Sequence, residues 1–166
     1  MEKILQGKIF KLGKNIDTDQ IYPGRFVELT DVEDVAKHAL AGVDENFAKK
    51  IKPGDMIVAG TNFGCGSSRE HAAITLKAIG ISAVIAESFA RIFFRNAINL
   101  GLPLITCPGI TALVEENDIL TVDIQTGEIK NDKGETIAKA EALSEYVMNI
   151  LDNGGIKPML AAKFVK

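Results

Sequence analysis

The sequence predicts an α/β fold in a single domain that spans residues 1–166. Three short apolar runs, at residues 56–59, 81–86 and 103–107, alternate with two amphipathic segments. That alternation is typical of parallel strands joined by helices. A chain of 166 residues, 46% of them hydrophobic, is long enough to bury one sizeable core, and a second full domain would need a longer chain.

The first part of the chain is predicted to hold a strand, a loop and a short helix. Residues 4–12 alternate roughly between apolar and polar side chains, which indicates a half-buried strand. Residues 15–26 are rich in turn formers and carry two acids, an arginine and two aromatic side chains, a composition typical of functional loops. Thr30 and Glu33 form a capping-box pattern, and apolar residues recur at helical spacing from there to Gly42.

Two helices are predicted to connect the three apolar runs. After Glu70 the apolar side chains fall on one helical face, and Gly80 is placed to cap the C-terminal end of that helix. Ser88 is expected to cap a second helix over residues 89–100, which Gly101 ends.

The C-terminal third changes from alternating helices and strands to an antiparallel pattern. Strands at residues 119–124, 128–130 and 136–138 are separated by tight-turn residues and predict a meander. A last helix is expected over residues 144–153, and residues 156–166 either pack against the domain or trail from it.

Composition excludes several classes of partner. The net charge is −3 with the signs interspersed, so no basic stripe is available for nucleic acid. No window reaches the roughly 18 apolar residues of a membrane span, and the N-terminus lacks the apolar run of a signal peptide, so a cytoplasmic protein without a membrane partner is expected. Two cysteines are too few for a disulfide framework or for this chain alone to hold an iron–sulfur cluster, and they lack the paired spacing of a structural zinc site, so no metal ligand is predicted.

Residues 62–71 form a polar turn that is the best candidate for a functional site. Gly64 and Gly66 let the backbone turn sharply, and Ser67 and Ser68 lie where a helix is expected to begin. A helix start offers unpaired N–H groups and the positive end of the helix dipole, so it can bind a carboxylate or an oxyanion. The plainer alternative is that Ser67 only caps the helix.

The other reactive side chains of this turn allow two further interpretations. Arg69 can clamp a carboxylate with two hydrogen bonds. Cys65 could instead be a nucleophile with His71 as its base, although no third orienting group is recognisable in the sequence. Cys107 lies among apolar neighbours and is expected in the core, and His38 is expected to be exposed.

Three segments in the same order resemble a known family. They are residues 15–23, with an Asp-Thr-Asp-x-Ile pattern at 17–21, residues 62–72, and residues 87–96. In these segments the chain resembles the small subunits of isopropylmalate dehydratase, which correspond to the swivelling C-terminal domain of aconitase. The resemblance extends over nearly the whole chain.

This resemblance implies a swivelling β/β/α domain that works as half of a heteromeric hydro-lyase. It implies that no cofactor is bound by this chain and that a large subunit holds a [4Fe–4S] cluster, one iron of which acts as a Lewis acid on the substrate hydroxyl. The implied substrate is a small dicarboxylic 2-hydroxy acid, and the implied pathway is leucine biosynthesis.

The resemblance also implies roles for individual residues. Ser67 matches the base that removes a proton from the carbon next to the hydroxyl-bearing one, and Ser68 and Arg69 match ligands of the substrate carboxylate. Arg91 could reach the site or pair with an acid such as Glu87, and of these two a structural part is favoured. Supporting roles fall to four residues: Thr18, Asp19, Gly66 and His71.

The resemblance implies that the loop after the Asp-Thr-Asp pattern recognises the variable side group of the substrate. Phe26, Val27 and Leu29 suit an isopropyl group, and Glu28 would repel a further carboxylate, so isopropylmalate is predicted over homocitrate. The alternatives are homoaconitase and the dehydratases of 2-methylmalate (citraconate) and 2,3-dimethylmalate. A different class of hypothesis is a free-standing anion-binding module.

Overall fold

A computed structural model describes residues 2–164, and its centre is a seven-stranded sheet. The strands are β1 (Ile4–Lys11), β2 (Met56–Ala59), β3 (Ala83–Ala86), β4 (Leu104–Thr106), β5 (Ile119–Asp123), β6 (Glu128–Lys130) and β7 (Thr136–Lys139). Their order across the sheet is β4-β3-β2-β1-β5-β6-β7.

The sheet has a parallel half and an antiparallel half that share β1. Strands β1 to β4 are parallel, with Ile9 opposite Met56 and Val58 opposite Ile85. β5 lies antiparallel to β1, and β6 and β7 continue the meander, which confirms the change of pattern predicted from the sequence. β2 and β3 are buried at every residue, as expected for parallel strands covered on both faces.

Seven helices and two 3₁₀ turns are described. The helices are α1 (Thr18–Ile21), α2 (Val32–Ala36), α3 (Phe47–Lys50), α4 (His71–Ile79), α5 (Arg91–Asn99), α6 (Glu145–Asp152) and α7 (Ile156–Phe164). The 3₁₀ turns are Gly24–Phe26 and Ile110–Ala112. Within residues 2–164, every helix is too short or too polar to cross a membrane.

Helices α4 and α5 connect the parallel strands as predicted. α4 packs against α2 on one side and against α5 on the other, and α5 also contacts α6. Gly80 ends α4 in the left-handed region at φ +103°, and its N–H donates to Leu76 O, which confirms its predicted role. Ser144 caps α6 by accepting the N–H of Val147.

Two predicted helix caps are wrong. The side chain that caps α2 is Asp31, which accepts the N–H of Glu33, and Thr30 does not take this position. Ser88 does not cap α5, which begins three residues later at Arg91, because its hydroxyl instead accepts the N–H of Asn62. A side-chain oxygen that can satisfy a backbone N–H in another loop is not committed to the nearest helix.

The extent of the first predicted helix is also wrong. α2 ends at Ala36 and does not continue to Gly42. Leu40 takes a positive φ of 57°, and its N–H donates to Ile21 O, while the N–H of Gly42 donates to Gln20 O. These bonds fold the segment back onto α1, so tertiary contacts replace the last helical turns.

Candidate active site

The candidate site lies at the carboxyl ends of the parallel strands, where the loops that follow β1, β2 and β3 meet. Open α/β sheets bind their ligands at this edge because the connecting loops converge there. The loops concerned contain the Asp-Thr-Asp pattern, the glycine-flanked turn and the start of α5.

Backbone hydrogen bonds continue the parallel pairing beyond the strand ends. The segments 13–18 and 60–65 are joined by Gly64 N donating to Ile16 O at 2.7 Å and by Thr18 N donating to Cys65 O at 2.8 Å. On the other side of segment 60–65, Phe63 N donates to Ser88 O at 3.1 Å, and Ala90 N donates to Phe63 O at 2.9 Å. We refer to segments 13–18, 60–65 and 88–90, paired in this way, as the loop ladder.

A cluster of aromatic rings packs against the loop ladder. The Phe63 ring is fully buried and meets Phe93 edge-on with centroids 5.3 Å apart and Phe89 with centroids 6.1 Å apart. Gly64 passes directly over Phe93 with a positive φ of 85°, and a Cβ at this position would lie 2.2 Å from the ring. Only glycine fits both the backbone conformation and the space.

Ser67 is exposed and hydrogen-bonded to Thr18. Its Oγ lies 3.2 Å from Thr18 Oγ1, and either hydroxyl can be the donor. Gly66, at φ +99°, lets the two segments approach, because a Cβ there would lie 3.3 Å from Thr18 Oγ1. Thr18 and Gly66, to which the resemblance gives supporting roles at the site, therefore lie beside Ser67.

The predicted helix start at Ser67 and Ser68 is wrong. α4 begins at His71 with Glu70 at the N-cap position, so both serines lie in the turn that precedes the helix. Ser68 is exposed, like Ser67. The positive end of a helix acts mainly within its first turn, so the stabilisation of an anion at Ser67 has to come from nearby side chains instead.

Arg69 is fixed by two acceptors from the first loop. Its Nη1 donates to Tyr22 O at 3.0 Å and to Asp19 Oδ1 at 3.3 Å. The same Asp19 oxygen accepts the N–H of Gly24 at 2.9 Å. The Gly24 hydrogen bond first, and then Arg69, lowers the pKa of Asp19 below its ordinary value. The guanidinium is therefore already held in place by a carboxylate of this chain.

The loop over residues 22–29 is held by stacked rings. Tyr22 stacks on His71 with ring centroids 5.4 Å apart, and the Tyr22 hydroxyl donates to Phe26 O at 2.6 Å. Phe26 stacks in turn on His38 at 3.7 Å, and the guanidinium of Arg25 lies 4.6 Å from its centroid. His38 is thus half-buried against this loop, and the prediction that it is merely exposed is wrong.

The other residues of this loop remain accessible. Val27 is 43% exposed, Glu28 is exposed and Leu29 is half-buried. The loop side chains predicted to contact a substrate are Phe26, Val27, Glu28 and Leu29. Of these, Phe26 is the one that packs against neighbouring rings.

A cleft of about 620 Å³ opens beside Ser67. Its lining residues come from the glycine-flanked turn and from the start of α5: Asn62, Gly64, Gly66, Ser67, Phe89, Ala90, Arg91, Ile92 and Arg95. The suggested pairing of Arg91 with Glu87 is wrong, because Glu87 accepts the N–H of Gly109 at 2.9 Å and the hydroxyl of Thr111. Arg91 faces the cleft instead.

The two cysteines have different environments. Cys107 is buried in the core, as predicted, and burial raises the pKa of its thiol. Cys65 is half-buried, and among residues 2–164 no hydrogen bond joins it to His71, which stacks on Tyr22. The same residues contain no group of three His, Cys, Asp or Glu side chains that could hold a metal ion.

Sequence reasoning missed three residues of the site. Tyr22 links Arg69 to the loop, His38 supports Phe26, and Arg95 lines the cleft. It also missed α1, although the pattern Asp17-x-x-Gln20 is a capping box and could have revealed this helix.

Comparisons with known proteins identify the family of the chain. Residues 2–108 match the family model of the aconitase C-terminal domain. The isopropylmalate/citramalate isomerase small subunit of Methanocaldococcus jannaschii is 53% identical over 166 residues, 100% of this chain and 99% of that protein. The 3-isopropylmalate dehydratase small subunit 1 of Methanopyrus kandleri is 48% identical over 161 residues, 96% of this chain and 94% of that protein.

A solved structure is similar over almost the same length. The crystal structure of 3-isopropylmalate dehydratase from Methanocaldococcus jannaschii aligns with a TM-score of 0.90 at 47% identity. The alignment covers 96% of this chain and 95% of the other.

The position of Gly64 above Phe93 predicts a large effect of Gly64→Ala on stability. A left-handed φ costs an alanine about 1–2 kcal/mol, and overpacking against the ring adds about 1–3 kcal/mol. Gly134→Ala is the matched control, since Gly134 has a φ of +78° but no atom within 4 Å of the added Cβ. Urea denaturation should therefore show the larger loss for Gly64→Ala, and equal losses would contradict the proposed contact.

The hydrogen bonds of Asp19 predict its titration. Because its folded-state pKa lies below the ordinary 3.8, the carboxylate stabilises the fold above that pH, and this contribution is lost as the pH falls from 3.8 through the lowered value. In an NMR titration, Arg69→Gln should raise the pKa of Asp19 only part of the way, since the Gly24 bond is the larger cause. Arg25→Gln should raise it less. A pKa of Asp19 that does not respond to Arg69→Gln would contradict the contact.

Proposed function

Since the chain belongs to the aconitase C-terminal domain family, we propose that it is the small subunit of a 3-isopropylmalate dehydratase. This hydro-lyase interconverts 2-isopropylmalate and 3-isopropylmalate by losing and re-adding water, a step of leucine biosynthesis. The assignment is supported by relatives that match 92–100% of this chain at 48–53% identity and are named as small subunits of a 3-isopropylmalate dehydratase or an isopropylmalate/citramalate isomerase. The single structural observation that carries it is the exposed Ser67, held against Thr18 at the edge of an open cleft.

Ser67 is the proposed base in its alkoxide form. A serine hydroxyl is a weak base unless its anion is stabilised, and the Thr18 hydroxyl lies 3.2 Å away, placed to donate a hydrogen bond to that anion. The proton that Ser67 accepts comes from the carbon next to the hydroxyl-bearing carbon of the substrate.

Arg69 and Ser68 are the proposed ligands of a substrate carboxylate. Arg69 is 24% exposed and is oriented by Tyr22 O, so little side-chain entropy remains to be lost on binding. The side chain of Asp19 is 70% exposed and lies 3.3 Å from the Arg69 guanidinium. The substrate carboxylate would displace Asp19 from the guanidinium or bind beside it. In this proposal Asp19 keeps Arg69 in position until the substrate arrives.

Activity requires a large subunit. We place the [4Fe–4S] cluster there, because such clusters take three or four thiolates and this chain has two cysteines. The cluster would supply Lewis-acid chemistry at the substrate hydroxyl. This chain contributes the base and the carboxylate ligands. Both cysteines are free, which suits a reducing compartment such as the cytoplasm.

The loop over residues 26–29 is proposed to select the side group. Phe26 is fixed by His38, so its ring provides a rigid apolar wall, and Val27 and Leu29 can adapt around an isopropyl group. The exposed carboxylate of Glu28 would repel the additional carboxylate of homocitrate.

Citramalate is the second candidate substrate. The relative from Methanocaldococcus jannaschii, 53% identical over the whole chain, is named for both isopropylmalate and citramalate. Citramalate, or 2-methylmalate, carries a methyl group in place of isopropyl and so has two carbon atoms fewer. Each missing methylene costs an apolar pocket about 1–3 kcal/mol, so one loop can accept both substrates with a lower kcat/KM on citramalate. A free-standing anion-binding module is the alternative class, and it is favoured only if no cluster-bearing large subunit binds.

The assignment of Ser67 predicts the effect of Ser67→Ala in the enzyme reconstituted with its large subunit. Loss of a general base should lower kcat by about 10²–10⁴-fold with little change in KM. Ser144→Ala, which removes the cap of α6, is the control and should cost about 1 kcal/mol of stability without changing kcat/KM. Steady-state kinetics that give Ser67→Ala a wild-type kcat would refute the role.

The assignment of the loop predicts an order of substrates. With its large subunit, the protein should have the highest kcat/KM on isopropylmalate, measurable turnover of citramalate and the lowest kcat/KM on homocitrate. Val27→Arg should shift the ratio toward homocitrate by roughly tenfold or more, because a cation replaces an apolar contact. Val43→Arg, at a position 39% exposed outside the loop, should leave the ratio unchanged. A wild-type preference for homocitrate would exclude the proposed substrate.

A further inference from the structure

The cleft beside Ser67 continues into a second cavity along α5. The second cavity has a volume of about 410 Å³ and shares three lining residues with the first: Phe89, Arg91 and Arg95. Cavities of roughly 300–1,000 Å³ hold drug-sized ligands. A groove made of two such cavities is larger than a small dicarboxylic hydroxy acid requires.

Among residues 2–164, the two arginines of this groove have no acidic partner. The sequence contains four arginines; Arg25 pairs with Glu45 and Arg69 with Asp19, whereas within residues 2–164 neither Arg91 nor Arg95 forms an ion pair. Both are exposed on the first half of α5, four positions apart and therefore on the same face.

This placement of charge is unfavourable in the isolated chain. Like charges four residues apart repel, and Arg91, in the first turn of α5, also lies at the positive end of the helix dipole. Carboxylates from another molecule would relieve both effects.

An apolar side chain accompanies the two arginines. Ile92 follows Arg91, lines the cleft and is 56% exposed. Phe94, half-buried against the Phe89 ring at 5.7 Å, lines the second cavity. Exposed apolar residues with arginine beside them are typical of the central part of protein–protein interfaces.

We propose that Arg91, Ile92 and Arg95 form the docking surface for the large subunit, which presents acidic side chains around an apolar residue. The proposal rests on the proposed function, because the base Ser67 borders the same cleft and has to face a substrate held partly by the large subunit. Docking here would cover the open side of the cleft and exclude water from it. The substrate itself is left to Arg69 and Ser68.

Binding of this chain to its large subunit tests the proposal. We expect Arg91→Glu combined with Arg95→Glu to raise Kd at least 100-fold and to flatten its dependence on salt, with the double glutamine variant intermediate. Ile92→Ser should raise Kd about tenfold. Lys133→Glu combined with Lys139→Glu makes the same change of charge at two exposed positions and should leave Kd unchanged. Circular dichroism and thermal melting would establish that each variant is folded.

Two outcomes would overturn the proposed docking surface and leave the proposed function standing. The first is an unchanged Kd in folded variants of Arg91, Ile92 and Arg95 while the wild-type enzyme is active. The second is an unchanged Kd with a raised KM for isopropylmalate, which would make the arginines substrate ligands. A wild-type chain that neither binds a large subunit nor supports turnover would refute the proposed function, and the docking surface with it.

Discussion

The backbone hydrogen bonds of the loop ladder are the interaction on which the candidate site depends. Past the ends of β1, β2 and β3, the chain could have diverged into three independent loops. Instead, Thr18 N–H binds Cys65 O, Gly64 N–H binds Ile16 O, and Ala90 N–H binds Phe63 O. Loops are ordinarily the mobile part of a fold, but these three are paired like strands, so the side chains that they carry have fixed positions relative to one another.

The polar contacts of Ser67 and Arg69 follow from this pairing. It brings the Thr18 hydroxyl to Ser67, and it brings Asp19 and Tyr22 to Arg69. Under the proposed function, half of the active site is thereby organised before substrate or the large subunit is present. Such preorganisation reduces the cost of ordering side chains when the complex forms, which matters for a site divided between two chains.

The sequence predicted the order of strands and helices well, because apolar periodicity reports directly on burial. β2 was predicted at the observed residues, and the meander and α6 nearly so. The errors concern hydrogen bonds between distant segments. Ser88 resembles a helix cap, yet it binds Asn62 across the loop ladder, and no local pattern contains that partner.

The resemblance selected the residues of the candidate site, but the sequence did not predict their geometry. Motif resemblance singled out Ser67 and Arg69, and the structure places them in adjoining contacts with Thr18 and Asp19. The helix start inferred at Ser67 was wrong, because a serine beside a glycine also suits a turn. The stacking of Phe26 on His38 has no signal in one sequence, since the residues meet only through tertiary packing.

Hydrogen exchange of the free chain measures most directly whether the loop ladder organises the site in advance. The amides of Thr18 and Gly64 should be protected nearly as well as those of β2, far better than that of the exposed Glu28, and should change little when the large subunit is added. Exchange of Thr18 and Gly64 at the rate of an open loop, with protection appearing only in the complex, would contradict the account.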